Sequence, residues 1–357
     1  MKHSMAPLVT MNAIAPLLEG ARKIVTHCAK IQAGENVLIV TDTGRDLSMS
    51  YAFMQAVIEQ SAEPTVITMK EREYPGQEPP SQVAAAMLDS DVIFQITTTV
   101  MAYTQAVKNA RERGARYAAM TGILPEIIAS PTVTATDFEK MNPLVLALAD
   151  MVDRAEKVKV TTEKGTHLEM NLKGRTAITC TSLLDTPGCL TGLPDLEVCV
   201  APVEDSINGT AVVDASISSS GLVANPVTLH ISNGMLEKIE GGKDAEELEA
   251  LLHRQNDPHV YQVAELGIGL NPNAQIRGAI IEDEGKLGTC HIAVGNNILL
   301  GGRNEAPVHI DNVMIDPTII FDGKTVLKTE GKTIEVIEEL LPFMDPIKKA
   351  GWNVISE

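Results

Sequence analysis

The first 150 or so residues alternate between helical and strand-like hydrophobic spacing. Apolar positions recur every three or four residues over 17–28, whereas residues 37–40 and 91–96 are short runs rich in β-branched side chains. Such runs between helices are typical of a parallel sheet that is buried on both faces. Residues 1–155 are therefore predicted to form an α/β domain with a doubly wound parallel sheet of Rossmann or flavodoxin type. Its predicted helices cover 17–28, 47–58, 83–88 and 105–113, and its predicted strands cover 37–40, 65–68, 91–96 and 116–120.

The pattern changes after about residue 155. Apolar and polar residues alternate on both sides of the turn Glu163-Lys164-Gly165, which predicts a β-hairpin. Short alternating segments continue toward the C-terminus, separated by glycine and proline turns and interrupted by one helix over 244–255. Residues 156–357 are therefore predicted to form a β-rich α+β domain. Its further strands are predicted at 198–201, 210–217, 227–231, 235–239, 275–281, 291–294 and 308–314.

Several classes of function are disfavoured by motifs and charge. No glycine-rich phosphate-binding motif follows the first strand, where Asp42-Thr43-Gly44 is instead expected to be a structural turn. The net charge of −18 disfavours nucleic-acid and anionic-membrane partners. The five cysteines are an odd number without a C-x-x-C pair, which favours reduced thiols. With no secretory signal in residues 1–16 and no apolar run of ~18 residues, a cytoplasmic location is expected.

The most informative chemistry is a His-x-Asp pair near the C-terminus. His309 and Asp311 are two residues apart on a predicted strand, so both side chains lie on the same face. Imidazole and carboxylate together suit Zn²⁺, Mn²⁺, Co²⁺ or Fe²⁺. The pair is therefore a candidate for part of a metal site, provided that other segments supply the remaining ligands.

Three further segments place ionisable side chains in apolar surroundings. Glu197, Glu265 and His291 each lie within such a segment, where an ionised group is costly unless a cation or hydrogen bonds compensate for it. Singly, each side chain could instead be solvated or hydrogen-bonded in the core. Together with His309 and Asp311 they would exceed the needs of one tetrahedral Zn²⁺, and they suit two metals joined by a bridging water. Glu284 or Glu282 would then be the general base and acid.

The same segments resemble the M29 metallo-aminopeptidases, the thermophilic aminopeptidase or aminopeptidase T family. The likeness is carried by the segments around 193–210, by Ala264-Glu265-Leu266, by residues 290–295 and by 308–311. It implies metal ligation by Glu197, Glu265, His291, His309 and Asp311, two divalent ions such as Zn, Co or Mn, and a homodimer. It also implies an aminopeptidase that removes N-terminal residues from peptides, with Glu284 or Glu282 moving the proton.

The chain departs from that family in length, in the residues after the first histidine segment and in the spacing around Glu284. A more distant similarity links it to non-haem iron dioxygenases that open dihydroxypyridine rings, whose iron ligand set has histidine at the position of Glu265. One Fe(II) could still be held by His291, His309 and Asp311. The leading hypothesis is thus an aminopeptidase. The alternatives are a hydrolase of small amides or N-heterocycles, a ring-cleaving dioxygenase of a hydroxypyridine, and a metal-stabilised structural protein.

Overall fold

The protein forms two compact units in a computed structural model that describes residues 11–356. The first unit comprises residues 11–139 together with Ser182–Pro194. The second comprises Lys140–Thr181 and residues 195–356. Among the described residues, no helix is both long and apolar enough to cross a membrane.

The strands, in chain order, are β1 (Asn36–Asp42), β2 (Glu63–Met69), β3 (Val92–Ile96), β4 (Arg116–Ala119), β5 (Lys157–Thr161), β6 (His167–Asn171), β7 (Ile178–Cys180), β8 (Leu190–Gly192), β9 (Glu197–Val200), β10 (Asn208–Val213), β11 (Ser216–Ile217), β12 (Gly221–Leu222), β13 (Val227–Ser232), β14 (Met235–Glu240), β15 (Val263–Gly269), β16 (Thr289–Gly295), β17 (His309–Ile315), β18 (Thr318–Phe321), β19 (Lys324–Glu330), β20 (Thr333–Val336) and β21 (Asn353–Ser356).

Helices are concentrated in the first unit. A π-helical turn, Ile24–Cys28, continues the α-helix Leu18–Lys23 of this unit. Short 3₁₀ turns occur in both units, at Ala15–Leu17, Pro258–Tyr261, Ile298–Leu300 and Glu338–Phe343. The α-helices are α1 (Met11–Ile14), α2 (Leu18–Lys23), α3 (Leu47–Glu59), α4 (Ser81–Leu88), α5 (Gln105–Glu112), α6 (Pro125–Ala129), α7 (Pro131–Thr134), α8 (Phe138–Arg154), α9 (Lys243–Arg254), α10 (Ile280–Asp283) and α11 (Asp345–Lys349).

The first unit contains a five-stranded parallel sheet in the order β2-β1-β3-β4-β8. Most residues of β1, β3 and β4 are buried because helices follow the strands and cover the sheet. This is the predicted doubly wound α/β fold. The turn after β1 is braced by Asp42, whose carboxylate accepts hydrogen bonds from the Gly44 N–H at 3.0 Å and the Thr98 N–H at 2.7 Å.

The second unit contains two sheets. One has nine strands in the order β14-β13-β10-β6-β5-β18-β19-β20-β21, and the other has seven in the order β12-β11-β17-β16-β15-β9-β7. The seven-stranded sheet is antiparallel throughout, and the strands at its centre, β9, β15 and β16, are buried along their whole length. The predicted β-rich character of this half of the chain is confirmed.

Two differences from the sequence prediction concern the domain boundary and residues 275–281. The sequence predicts a boundary near residue 155, whereas in the structure the second unit already begins at Lys140 and Ser182–Pro194 belong to the first unit, because β8 pairs with β4 as the fifth parallel strand. The predicted strand at 275–281 is wrong. There the Asp283 carboxylate accepts hydrogen bonds from the N–H groups of Arg277 at 2.7 Å and Gly278 at 2.8 Å, which folds the segment into a turn that leads into α10.

Candidate metal centre

Four neighbouring strands of the seven-stranded sheet, β17, β16, β15 and β9, carry all five candidate ligands. Glu197 lies on β9, Glu265 on β15, His291 on β16, and His309 and Asp311 on β17. The strand registers place the five side chains on the same face of the sheet. The sheet thereby brings together Glu197 and Asp311, which are 114 positions apart in the chain.

Small residues lie between these ligands on the same face. Gly269 is directly opposite Glu197, Ala293 lies between Glu265 and Asp311, and Gly295 is opposite His309. Gly267 lies between His291 and Cys199 in the same way. The space above Gly267 is occupied by the His291 ring, whereas the space above Gly269 is occupied by the backbone of residues 284–286. The two glycines therefore allow the His291 ring and the Glu284 segment to approach the sheet closely.

The first group of ligands, which we call the outer position, consists of Glu265, His309 and Asp311. His309 Nε2 lies 2.9 Å from Glu265 Oε2 and 3.1 Å from Asp311 Oδ1. The His309 side chain is 31% exposed, whereas the side chains of Glu265 and Asp311 are 6% and 12% exposed. The outer position therefore has one accessible side, through which a small molecule could reach a bound cation.

The second group, which we call the inner position, consists of Glu197, Glu265 and His291. His291 Nε2 lies 3.7 Å from Glu197 Oε2 and 3.6 Å from Glu265 Oε1. The His291 side chain is only 1% exposed. Glu265 belongs to both positions and directs a different oxygen to each, so it can bridge two cations.

The donor atoms fit divalent metal ions. Donor atoms that bind the same cation, each at about 2.0–2.2 Å, lie about 3 to 3.5 Å from one another. The separations of 2.9 and 3.1 Å in the outer position and of 3.6 and 3.7 Å in the inner position are close to this range. Glu197 Oε2 and His291 Nδ1 are buried without a hydrogen-bond partner. A buried carboxylate oxygen without a partner is costly, and a cation at the inner position would remove that cost for Glu197.

The orientation of each histidine has a specific cause. His309 Nδ1 donates a hydrogen bond of 2.7 Å to the Asn296 carbonyl oxygen, and a carbonyl can only accept. In the neutral ring, Nδ1 therefore carries the proton and Nε2 keeps its lone pair for a metal. The His291 ring lies directly over Gly267, where an added Cβ would overlap its Cε1 and Nε2 atoms.

Without a metal, the centre balances its charge with protons. Burial and the neighbouring carboxylates raise the pKa of Glu197 and of Glu284 well above the usual range. Burial lowers the pKa of His291, but the hydrogen bond with Glu265 and the charge of Glu197 raise it more, to about 9. Burial raises the pKa of Glu265, yet the two histidines outweigh this and leave it below its usual value. Divalent cations would replace these protons.

The structure separates the two candidates for the general base. The Glu284 carboxylate, together with the side chains of His291 and Asp311, offers ligand atoms within 4.8 Å of one another. Glu282 belongs to a different network, in which its carboxylate accepts a hydrogen bond from the Gln275 N–H at 3.1 Å and pairs with Arg277 Nε at 2.9 Å. Glu284 is thus placed beside the candidate ligands and Glu282 is not. The proton-transfer role of Glu284 stays a prediction.

Three polar residues of this region were not singled out from the sequence. Cys199 offers a sulfur within 4.8 Å of ligand atoms of Glu197 and Glu265, and Cys180, Asp195 and Glu197 form a further group with the same spacing. Burial raises the pKa of Asp195 to about 7. The signal for Cys199 was present, because it lies two residues after Glu197 on a strand and so shares its face.

We expect Gly267→Ala to abolish metal binding at the inner position, because the new methyl group would occupy the space of the His291 ring. Metal content after dialysis against Zn²⁺ or Co²⁺ measures the effect. Gly242→Ala is the control, since its added Cβ would meet only Asn225 Nδ2, at 3.8 Å. Full metal occupancy in Gly267→Ala, with the control unchanged, would contradict the geometry.

The metal-free protein should lose thermal stability as the pH rises from 6.5 to 9. In this range folded His291, with a pKa of about 9, holds a proton that the unfolded chain, with its ordinary pKa of 6.5, releases. The folded state therefore binds more protons, and the free energy of unfolding falls with increasing pH. Melting temperatures at pH 6.5 and 9 test this, with His291→Gln expected to reduce the slope and the exposed-site variant His253→Gln to preserve it. A melting temperature that is constant or rises would show the assignment to be wrong.

Comparison with known proteins agrees with this architecture. The profile of the family described as NicX, 2,5-dihydroxypyridine 5,6-dioxygenase, matches residues 17–335. A curated relative, the 2,5-dihydroxypyridine 5,6-dioxygenase of Pseudomonas putida KT2440, is 28% identical over 215 residues, which are 57% of this chain. The match spans 60% of the length of that relative.

Two solved structures share the fold. The 2,5-dihydroxypyridine dioxygenase of Pseudomonas putida KT2440 has a TM-score of 0.73 at 22% identity, over 89% of this chain and 96% of the other. Wild-type AmpT from Thermus thermophilus has a TM-score of 0.66 at 16% identity, over 88% and 98%. The second likeness supports the resemblance to the M29 family at the level of the fold. Because the family profile covers most of the sequence, the chain belongs to the family described as NicX, 2,5-dihydroxypyridine 5,6-dioxygenase.

Proposed function

We propose that this protein is a ring-cleaving dioxygenase that acts on a hydroxylated nitrogen heteroaromatic compound, with one Fe(II) at the outer position. The family profile and the curated relative both carry the description 2,5-dihydroxypyridine 5,6-dioxygenase, which suggests the class of substrate. This proposal reverses the order of the hypotheses drawn from the sequence, in which the aminopeptidase came first.

The observation that carries the proposal is the convergence of Glu265, His309 and Asp311. These three side chains come from two strands of one sheet, and their donor atoms lie 2.9 and 3.1 Å from His309 Nε2. Three protein ligands leave coordination positions free, as in non-haem iron oxygenases, although the usual set there has two histidines and one carboxylate. A substrate would reach the outer position from the side of the partly exposed His309.

Bound at the outer position, Fe(II) would supply the redox chemistry by which both atoms of O₂ are added to an aromatic ring. The chain contributes orientation and proton transfer. Asn296 fixes the His309 ring through its carbonyl oxygen, and the sheet backbone fixes Glu265 and Asp311. A hydroxylated ring must lose a hydroxyl proton to bind as an anion, so a base is needed close to the outer position.

Glu284 is the group best placed to take that proton. Its carboxylate lies close to Asp311 and His291 without being part of the outer position. Burial and the charges of Glu197 and Asp311 raise its pKa, so a proton that reaches its carboxylate oxygen is held there. The same group could return the proton to the opened product.

A second candidate function is a two-metal hydrolase of the aminopeptidase type, or one that acts on small amides or N-heterocycles. It is favoured by one specific observation. Glu265 directs Oε2 to His309 and Oε1 to His291, so that it can bridge two cations, and Glu197 adds a further carboxylate. Two redox-inert ions in this arrangement would suit hydrolysis by a bridging water.

The two functions make opposite predictions for metal content and substrate. We expect protein that has been loaded with Fe(II) under anaerobic conditions to consume O₂ when 2,5-dihydroxypyridine is added. The absorbance of the pyridine ring should disappear at the same time, with one molecule of O₂ consumed per molecule of substrate. Protein loaded with Zn²⁺ is the control and should be inactive, because Zn²⁺ has no redox chemistry.

The contrary outcome is equally defined. The protein would be an aminopeptidase and not a dioxygenase if it held two Zn, Co or Mn ions per chain and released p-nitroaniline from amino-acid p-nitroanilides but not from their N-acetylated forms. Hydrolysis of N-acetylated anilides as well would indicate a general amidase.

Glu284→Gln should lower kcat by about 100-fold or more while bound metal is retained, because the amide cannot accept the proton. Glu282→Gln is the matched variant, two residues away and also buried. It should leave kcat close to that of the wild type and act mainly on thermal stability, because it weakens the contact with Arg277. If Glu284→Gln keeps full activity, proton transfer must be assigned to another group.

A further inference from the structure

The inner position has a feature that neither the family relationship nor the proposed reaction requires, which is a cysteine. Cys199 follows Glu197 by two residues on β9 and lies on the same face of the sheet. Its sulfur and the carboxylates of Glu197 and Glu265 offer ligand atoms within 4.8 Å of one another, and all three residues are buried.

The strand register explains why His291 and Cys199 share this space. Gly267 lies between them, paired with His291 on one side and with Cys199 on the other. Because Gly267 has no side chain, the His291 ring leans over its backbone. His291 and Cys199 are thus on the same face of the sheet, on the two strands that flank Gly267.

The donor set of the inner position therefore differs in chemistry from that of the outer position. His291 Nε2 lies 3.7 Å from Glu197 Oε2 and 3.6 Å from Glu265 Oε1, and Glu197 Oε2 has no hydrogen-bond partner. The Cys199 sulfur, which is grouped with the carboxylates of Glu197 and Glu265, adds a soft donor to these nitrogen and oxygen atoms. The outer position offers only nitrogen and oxygen.

We propose that the inner position is a second cation site in which Cys199 is a thiolate ligand, and that it selects a thiophilic divalent ion such as Zn²⁺ or Co²⁺. Thiolate ligands favour such ions, whereas the carboxylate-rich outer position suits harder ones. When the metal binds, the sulfur–hydrogen bond is broken, a metal–sulfur bond forms and the proton leaves to solvent, without any change in oxidation state. The inference rests on the proposed metal centre and holds for either reaction.

The test is the absorption spectrum of the Co²⁺-loaded protein. Thiolate ligation produces a sulfur-to-cobalt charge-transfer band in the near ultraviolet, which nitrogen and oxygen ligands do not. We expect this band in the wild-type protein and its loss in Cys199→Ser, together with about 10- to 100-fold weaker binding of one Co²⁺ equivalent. Cys290→Ser is the matched control, because Cys290 is equally buried and adjacent to His291 but points to the other face of the sheet.

Each other outcome has a definite meaning. Wild-type protein that binds Co²⁺ without the band overturns the cysteine ligand while leaving the metal centre intact. Loss of the band in Cys180→Ser, with the band kept in Cys199→Ser, overturns the assignment in favour of the neighbouring thiol. Protein that binds no Co²⁺ overturns the metal centre itself. If Cys199→Ser does not fold, a band that persists in the Cys180→Ser, Cys290→Ser double variant still supports Cys199, since the remaining cysteines, Cys28 and Cys189, lie in the first unit.

Discussion

The structure of the second unit depends on how it accommodates negative charge away from water. Glu197, Glu265 and Asp311 share one face of a sheet with His291 and His309, and the Glu284 carboxylate lies beside them. Burying an unpaired carboxylate costs several kcal/mol, so such a face is stable only if protons or cations are held there. Protons satisfy this requirement in the metal-free protein, and the distances between the donor atoms are suited to metals. Folding and metal binding are thus linked by the same electrostatic demand.

The sheet carries glycine and alanine at the positions between the ligands. Gly267, Gly269, Ala293 and Gly295 would pack poorly in the middle of an ordinary antiparallel sheet, since strand interiors favour β-branched and aromatic residues. The loss of packing is local, because β9, β15 and β16 remain buried along their whole length. Ligands on the strands of a sheet are held in place more accurately than ligands on loops would be, which suits chemistry at a fixed metal.

Much of this could be predicted from the sequence, and the exceptions have physical causes. Buried strands such as β1 and β3 were recognisable because helices flank their β-branched runs. The five candidate ligands were recognisable because ionisable residues are rare in apolar segments. The choice between Glu282 and Glu284 was not, because it depends on a turn closed by the Asp283 carboxylate, which also replaced the expected strand at 275–281. Cys199 was overlooked because a single thiol in a strand resembles an ordinary small core residue.

The return of β8 to the parallel sheet has a consequence for biosynthesis. Residues 140–181 belong to the second unit, yet they are synthesised before the strand that completes the first. Until residue 192 has left the ribosome, β4 presents an open edge of unpaired backbone groups, while the first hairpin of the second unit is already available. Neither unit is therefore formed by one contiguous stretch of the chain, and each needs residues that are synthesised after part of the other.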